Sequence, residues 1–202
     1  DTVGLLYPYY YSKMAYDGFK SIGRDDIITL TRCAYLGSQK FGSLVWSGDI
    51  ESTFESLACQ VKAGLNMAMC GIPWWNTDIG GFYGADITSD YFKELIVRWF
   101  QFGLFSPVMR LHGSRNRHFE PTPGLKEPSG DPNEIWSFGE KNFEILKNLI
   151  FIREKLRPYI QTQMDIASEK GYPVMRPMFF EYPDDENCYK LDSQYMFGDD
   201  II

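Results

Sequence analysis

The sequence predicts an α/β chain: half of an eight-stranded (β/α)8 barrel running into the start of a β domain. Three observations predict it. Short apolar or β-branched runs alternate with runs of helical spacing, which is the pattern of a parallel sheet. Several of these runs stop at clusters of carboxylate, Arg, His and Trp, as barrel strands do at their C-terminal ends. After residue 170 the texture changes to short apolar stretches broken by Pro and polar turns.

Each element follows in order. Leu5 to Ile22 reads as a helix stopped by Gly23. Ile27 to Thr31 is β-branched and apolar, a buried strand with Arg32 at its end. Gly42 to Trp46 is the next strand. Ser52-Thr53-Phe54-Glu55 has the capping-box pattern, so a helix follows through Leu57, Ala58, Val61 and Leu65. Met67 to Ile72 reads as a third strand. Asp90 to Phe102 carries Phe92, Leu95, Ile96 and Trp99 at helical spacing, and Phe105 to Met109 reads as a fourth strand. Residues 114–137 are polar and rich in Gly and Pro, a loop over the barrel mouth in which Arg115, Arg117 and His118 are expected to be solvated. Ser137 to Lys170 is helical, with a break expected near Arg157-Pro158 because Pro cannot donate the helical bond. Tyr172 to Phe180 and Tyr195 to Ile202 read as strands of a second unit. The boundary falls between residues 1–170 and 171–202.

Composition narrows the function. A chain of 202 residues can bury a sizeable core. Its net charge of −7 argues against nucleic acid, which needs a basic surface. No apolar run approaches the ~18 residues of a membrane span. The four cysteines, Cys33, Cys59, Cys70 and Cys188, have no CxxC spacing and read as reduced thiols, the first three as small hydrophobes. Two histidines, six residues apart and without neighbouring cysteines, make no zinc pattern. Aromatic residues reach 16%; a Tyr- and Phe-rich core accounts for most of them, and the five Trp, three of them beside strand-end carboxylates, leave room for stacking on a sugar.

Three strand-end runs carry the chemistry. In Val45-Trp46-Ser47-Gly48-Asp49 a strand bearing a Trp meets a small turn that presents one carboxylate. Pro73-Trp74-Trp75-Asn76-Thr77-Asp78-Ile79-Gly80-Gly81-Phe82 repeats the design. Met109-Arg110-Leu111-His112-Gly113 ends on a cation and an imidazole. Aromatics, carboxylates, Arg and His at successive strand ends describe a sugar pocket. Asp49 is the candidate catalytic acid, although a carboxylate beside a helix start is also favoured by the helix dipole. Arg32, at the end of a strand read as buried, has to be paired. Asp78 is either an acceptor for ligand hydroxyls or a turn residue, and Gly80 and Gly81 serve backbone geometry. Arg110 and His112 share a face by the two-residue strand period. Trp46 is the stacking candidate; Trp74 and Trp75 are adjacent, so at most one lines the pocket. Glu51 and Glu55 read as helix-start charges.

These motifs, with Tyr35-Leu36-Gly37-Ser38-Gln39-Lys40 and Tyr182-Pro183-Asp184-Asp185, resemble glycoside hydrolase family 31, the α-glucosidases and α-xylosidases. The resemblance implies a (β/α)8 TIM barrel followed by β-sandwich domains, with this chain as the second half of the barrel and the start of a β-sandwich domain. It implies a retaining mechanism, in which one carboxylate attacks the anomeric carbon and a second carboxylic acid serves first as acid, then as base. Asp49 matches that acid/base. Arg32, Trp46, Asp78, Arg110 and His112 match positions around the sugar. The family's nucleophilic Asp lies on an earlier strand, and no such motif precedes Arg32. The nucleophile is therefore expected upstream of residue 1, and the 202 residues alone are expected to be inactive. The implied substrates are oligosaccharides or glycosides, and the implied reaction needs no metal and no organic cofactor. A lyase, a transglycosidase or a non-catalytic sugar-binding relative remain rival readings. A homo-oligomer is compatible with the sequence. The lack of an Asn-x-Ser/Thr sequon favours a bacterial cytoplasmic setting.

Overall fold

The computed structural model describes residues 2–116 and 130–202. It opens with helix α1 (Thr2–Ser21), followed by strands β1 (Thr29–Thr31) and β2 (Ser43–Trp46), helix α2 (Phe54–Met69), strand β3 (Trp75–Asn76) and helix α3 (Asp90–Leu104). Helix α4 (Glu140–Lys170) leads to β4 (Met175–Pro177), α5 (Met178–Glu181) and β5 (Tyr195–Phe197). Among the described residues, β1, β2 and β3 form a parallel sheet in chain order, with Thr31 opposite Val45 and Trp46 opposite Asn76. β4 and β5 pair antiparallel, Met175 opposite Phe197.

Local chemistry sets the helix ends. Thr53 caps α2 by accepting from the Ser56 amide at 3.0 Å; the cap is one residue later than the Ser52 of the expected box. Ser89 caps α3 through the Phe92 amide. The buried face of α3, with Phe92, Leu95, Ile96, Trp99 and Phe100, enters one core with Val45 and Trp75 of the sheet and Leu146 of α4. Each large apolar side chain withdrawn from water there is worth about 1.5–3 kcal/mol. Gly64 lets α2 lie close on β3, since a Cβ there would stand 2.6 Å from Trp75 Nε1.

Several expectations are corrected. Met67 to Ile72 is not a strand. Met67-Ala68-Met69 completes α2, because these residues favour helix and extend its period, and the helix stops at Cys70 and at Gly71 with φ 75°. Phe105 to Met109 is not a regular strand either. Ser106 Oγ bonds back to Phe102 O, and Arg153 of α4 takes the carbonyls of Leu104, Ser106 and Pro107 at 2.6–2.9 Å. Val108 N still donates to Trp75 O, and just beyond the segment Ile79 N donates to Arg110 O. α4 runs unbroken through Pro158. Pro158 and Glu154 are both exposed, so the carbonyl that loses its donor meets water. Leu30 in β1 is 45% exposed rather than buried, since β1 pairs on one side only among the described residues. The cysteines are all free, but Cys33, Cys59 and Cys70 are exposed and Cys188 alone is buried.

The residues after Gly171 pack on α4 and on the barrel core. Val174, Met175 and Phe197 belong to the same core as Trp99 and Leu146. Arg176, 2% exposed, donates to Pro173 O, Gln163 Oε1 and Asp199 Oδ1, and pairs with Glu181. Tyr159 of α4 donates to Phe197 O at 2.9 Å.

Candidate active site

Because β1, β2 and β3 are parallel and in register, the residues just past their C-terminal ends come to one edge of the sheet. Arg32 follows β1, Asp49 follows β2 and Asp78 follows β3. A parallel bridge from Ile79 to Leu111 brings Arg110 and His112 alongside Asp78. Four chain segments thus deliver their polar side chains to one place.

Asp49 Oδ2 lies 3.2 Å from Arg32 Nη2, with side chains 42% and 60% exposed. The pairing expected of Arg32 is present, but its reason differs: an open site edge, not a buried strand, holds the cation. Exposed pairs of this kind contribute about 0–1 kcal/mol, so the contact orients more than it stabilises. Gly48 makes it feasible. Its φ is 78°, and a Cβ there would stand 3.1 Å from Arg32 Nε.

Asp78 is wholly buried and paired with Arg110. Burial pushes its carboxyl up, while Arg110 and then His112 pull it down and Asp49 adds to the rise. Arg110 also donates Nε to Asn76 Oδ1 at 3.1 Å and lies over the half-buried Trp46 ring at 5.9 Å. Trp46, Asn76, Asp78 and Arg110 therefore form one face of the sheet end. Among the described residues, Asp78 Oδ2 and Asn76 Nδ2 have no hydrogen-bond partner, so a buried acceptor and a buried donor stand on that face. His112 is exposed, its ring tilted 37° against Phe82 at 5.7 Å between centroids.

Trp74 and Trp75 do not join this face. Trp75 is 4% exposed in the core. Trp74 lines a separate groove with Tyr16, Gln39 and Ser168. Arg117 and His118 lie outside the described residues. Arg115, expected to be solvated, is 2% exposed. Sequence reasoning missed it and Asn76. Asn76 was signalled by the two-residue strand period, which places it on the face of Asp78. Arg115 had no such signal in its own polar loop. Among the described residues no group of three or more His, Cys, Asp and Glu is placed to hold a metal ion, and no helix is long and apolar enough to cross a membrane.

Residues 2–163 match the glycosyl hydrolases family 31 TIM-barrel domain, and residues 171–202 match the family's C-terminal domain. The chain belongs to glycoside hydrolase family 31. It is 36% identical over 196 residues to an α-xylosidase of Saccharolobus solfataricus, covering 97% of this chain and 25% of that protein. It is 35% identical over 200 residues to an isomaltosyltransferase of Sporosarcina globispora, covering 97% and 17%. A crystal structure of a family 31 α-xylosidase from a soil metagenome, complexed with xylose, matches at TM-score 0.90 and 50% identity over 96% of this chain and 29% of that one. The chain thus spans between about a sixth and a third of the length of these relatives. Its three parallel strands lie in the segment that matches the family's barrel, and the antiparallel pair lies in the segment that matches its C-terminal domain.

Proposed function

We propose that this chain is the acid/base-bearing portion of a retaining family 31 α-glycosidase that removes terminal α-linked xylose or glucose. The observation that carries the reading is the joint position of Asp49 and its Arg32 partner beside the Asp78–Arg110 pair and His112, at the C-terminal edge of parallel barrel strands. In this reading the two units meet at residues 170 and 171.

The reaction runs in two steps. A carboxylate from a preceding barrel strand attacks the anomeric carbon. The glycosidic C–O bond breaks, and Asp49 gives its proton to the departing oxygen. Asp49, now a carboxylate, takes a proton from water as the water oxygen attacks the anomeric carbon and releases the nucleophile. Arg32 holds Asp49 in place between steps. Asp78 fixes Arg110, whose guanidinium lies over Trp46 and beside His112, and these three face the sugar. Hydroxyl recognition by His112 and Arg110 and ring contact by Trp46 use the aromatic and charged surface typical of such pockets.

The test compares wild type with Asp49→Ala in the full-length enzyme on aryl α-glycosides of good and poor leaving-group ability, with and without azide. The expected outcome is a loss of about 10²–10⁴ on the poor leaving group and a much smaller loss on the good one, with turnover of the latter restored by azide. Equal losses without rescue would remove the acid/base role. A second reading, transfer of the glycosyl unit to another sugar instead of water, is favoured by the likeness to the isomaltosyltransferase. Longer oligosaccharide products rather than free sugar would select it.

A further inference from the structure

Arg115 lies 2% exposed against the loops that follow Asp49 and Asp78, and nothing in the chemistry above uses it. Its guanidinium collects the strand-end loops. Nη2 donates to Ile79 O at 3.1 Å, and Nη1 donates to Gly81 O at 2.7 Å and Gly80 O at 3.3 Å. Nη1 also reaches Ser52 Oγ at 3.4 Å, and Nε donates to Asn133 Oδ1 at 2.8 Å. The plane stands over the Phe92 ring, 4.8 Å from its centroid.

The loop after β3 is shaped around this cation. Gly80 and Gly81 have φ of 91° and 75°, which turns three successive carbonyls toward one point. Such convergence is repulsive unless a cation with several donors fills it. The space is cut to fit: a Cβ on Gly80 would stand 2.9 Å from Nη2, and one on Gly113 would stand 2.8 Å from Cζ. Burial pushes the Arg115 guanidinium down to about 10, so it stays charged at neutral pH.

The contacts join two loops. Ser52 belongs to the turn that follows Asp49, and Ile79 to Gly81 follow Asp78. The same loops touch through Ser52 N to Tyr83 O at 2.9 Å and Phe82 N to Ile50 O at 2.7 Å. A Cβ on Gly81 would stand 2.6 Å from Ser52 Cα, so the loops have no slack.

We propose that Arg115 is a positioning residue for proton delivery: it locks the Asp49 loop to the Asp78 loop and so fixes where Asp49 stands relative to the sugar held by Arg110 and His112. The inference rests on the glycosidase reading. Lysine, a point donor, cannot span carbonyls on one loop and a hydroxyl on another, and misplacing a catalytic group by about 1 Å can cost 10²-fold.

The test uses the full-length enzyme, with Arg115→Lys and Ser52→Ala compared with wild type on a p-nitrophenyl and a methyl α-glycoside of the same sugar. Circular dichroism gives the folded fraction used to normalise rates. Arg115→Lys is expected to lower kcat on the methyl glycoside at least about tenfold more than on the p-nitrophenyl glycoside, with KM little changed. Ser52→Ala, which cuts only the contact to the Asp49 loop, is expected to shift the same ratio about threefold. If Arg115 serves stability alone, both substrates lose the same factor, and that result overturns the proposal. Should Arg115→Lys not fold, the Ser52→Ala ratio decides, and an unchanged ratio overturns it. A wild-type enzyme that cleaves neither substrate overturns the glycosidase reading and this inference with it.

Discussion

Asp78 sits fully buried between a cation and the end of β3, and burial outweighs the cation. Its carboxyl is held above its ordinary 3.8, so the native state keeps the proton to higher pH than the unfolded chain does. Stability from this group is therefore greatest below the unfolded value and falls as pH rises through the raised native one. The expected outcome is that the unfolding free energy of wild type relative to Asp78→Asn declines as pH rises from about 3.5 through the mildly acid range. Urea titrations at several pH values measure it, and a difference that grows with pH would contradict the assignment. Arg32 and Asp49 were legible as strand-end residues because β1 and the strand and Gly turn before Asp49 are recognisable, whereas Asp78, Arg110 and His112 stood out by their motifs although the strands expected before them, Met67 to Ile72 and Phe105 to Met109, did not form. Arg115 was not legible. Its burial is decided by carbonyls some 35 residues away, and its own neighbours are polar.

At the level of elements, the amphipathic helices α2 and α3 and the strand before Asp49 were legible from periodicity and caps. The two misread strands have one cause. Short apolar runs such as Met67 to Ile72 fit helix and strand equally well by pattern, and tertiary contacts choose between them. The segment from Phe105 to Met109 is apolar enough for a strand, but Arg153 takes its carbonyls. That clamp has a measurable weight. Burial pushes the Arg153 guanidinium down to about 10, and it serves three carbonyls at the end of α3. Arg153→Met is expected to cost about 3 kcal/mol, read as a lower urea midpoint with unchanged slope. Because the same segment leads into Arg110, KM for the glycoside should rise along with it. At Pro158 the missing helical bond falls on the water-facing side of α4, so the helix tolerates what the sequence flags as a break.

Across the whole molecule, the parallel register turns chain order into position around a barrel mouth, which is why motifs scattered over some 80 residues converge. The change of texture after residue 170 was legible too, but not how closely the C-terminal pair is fused to the barrel. α4, about 46 Å long at 1.5 Å per residue, carries Tyr159 and Gln163 onto that pair. Gly198, with φ 66°, lies against both side chains, and a Cβ there would stand 2.7 Å from Gln163. Gly198→Ala is expected to cost about 1–3 kcal/mol through strain and crowding, read as a lower thermal midpoint.

The Arg115 contacts bear on how such enzymes can be recombined. A barrel of repeated strand–helix units invites chimeras, in which one unit is exchanged for that of a relative to graft a new sugar preference. Crossovers within α2 or α3 would leave every strand intact, yet they would separate Ser52, Gly80, Gly81 and Arg115 into different parents. The heritable module here is larger than one repeat. It runs from the turn after β2 through Asn133, and libraries that shuffle it as a single block should retain activity where finer shuffling loses it.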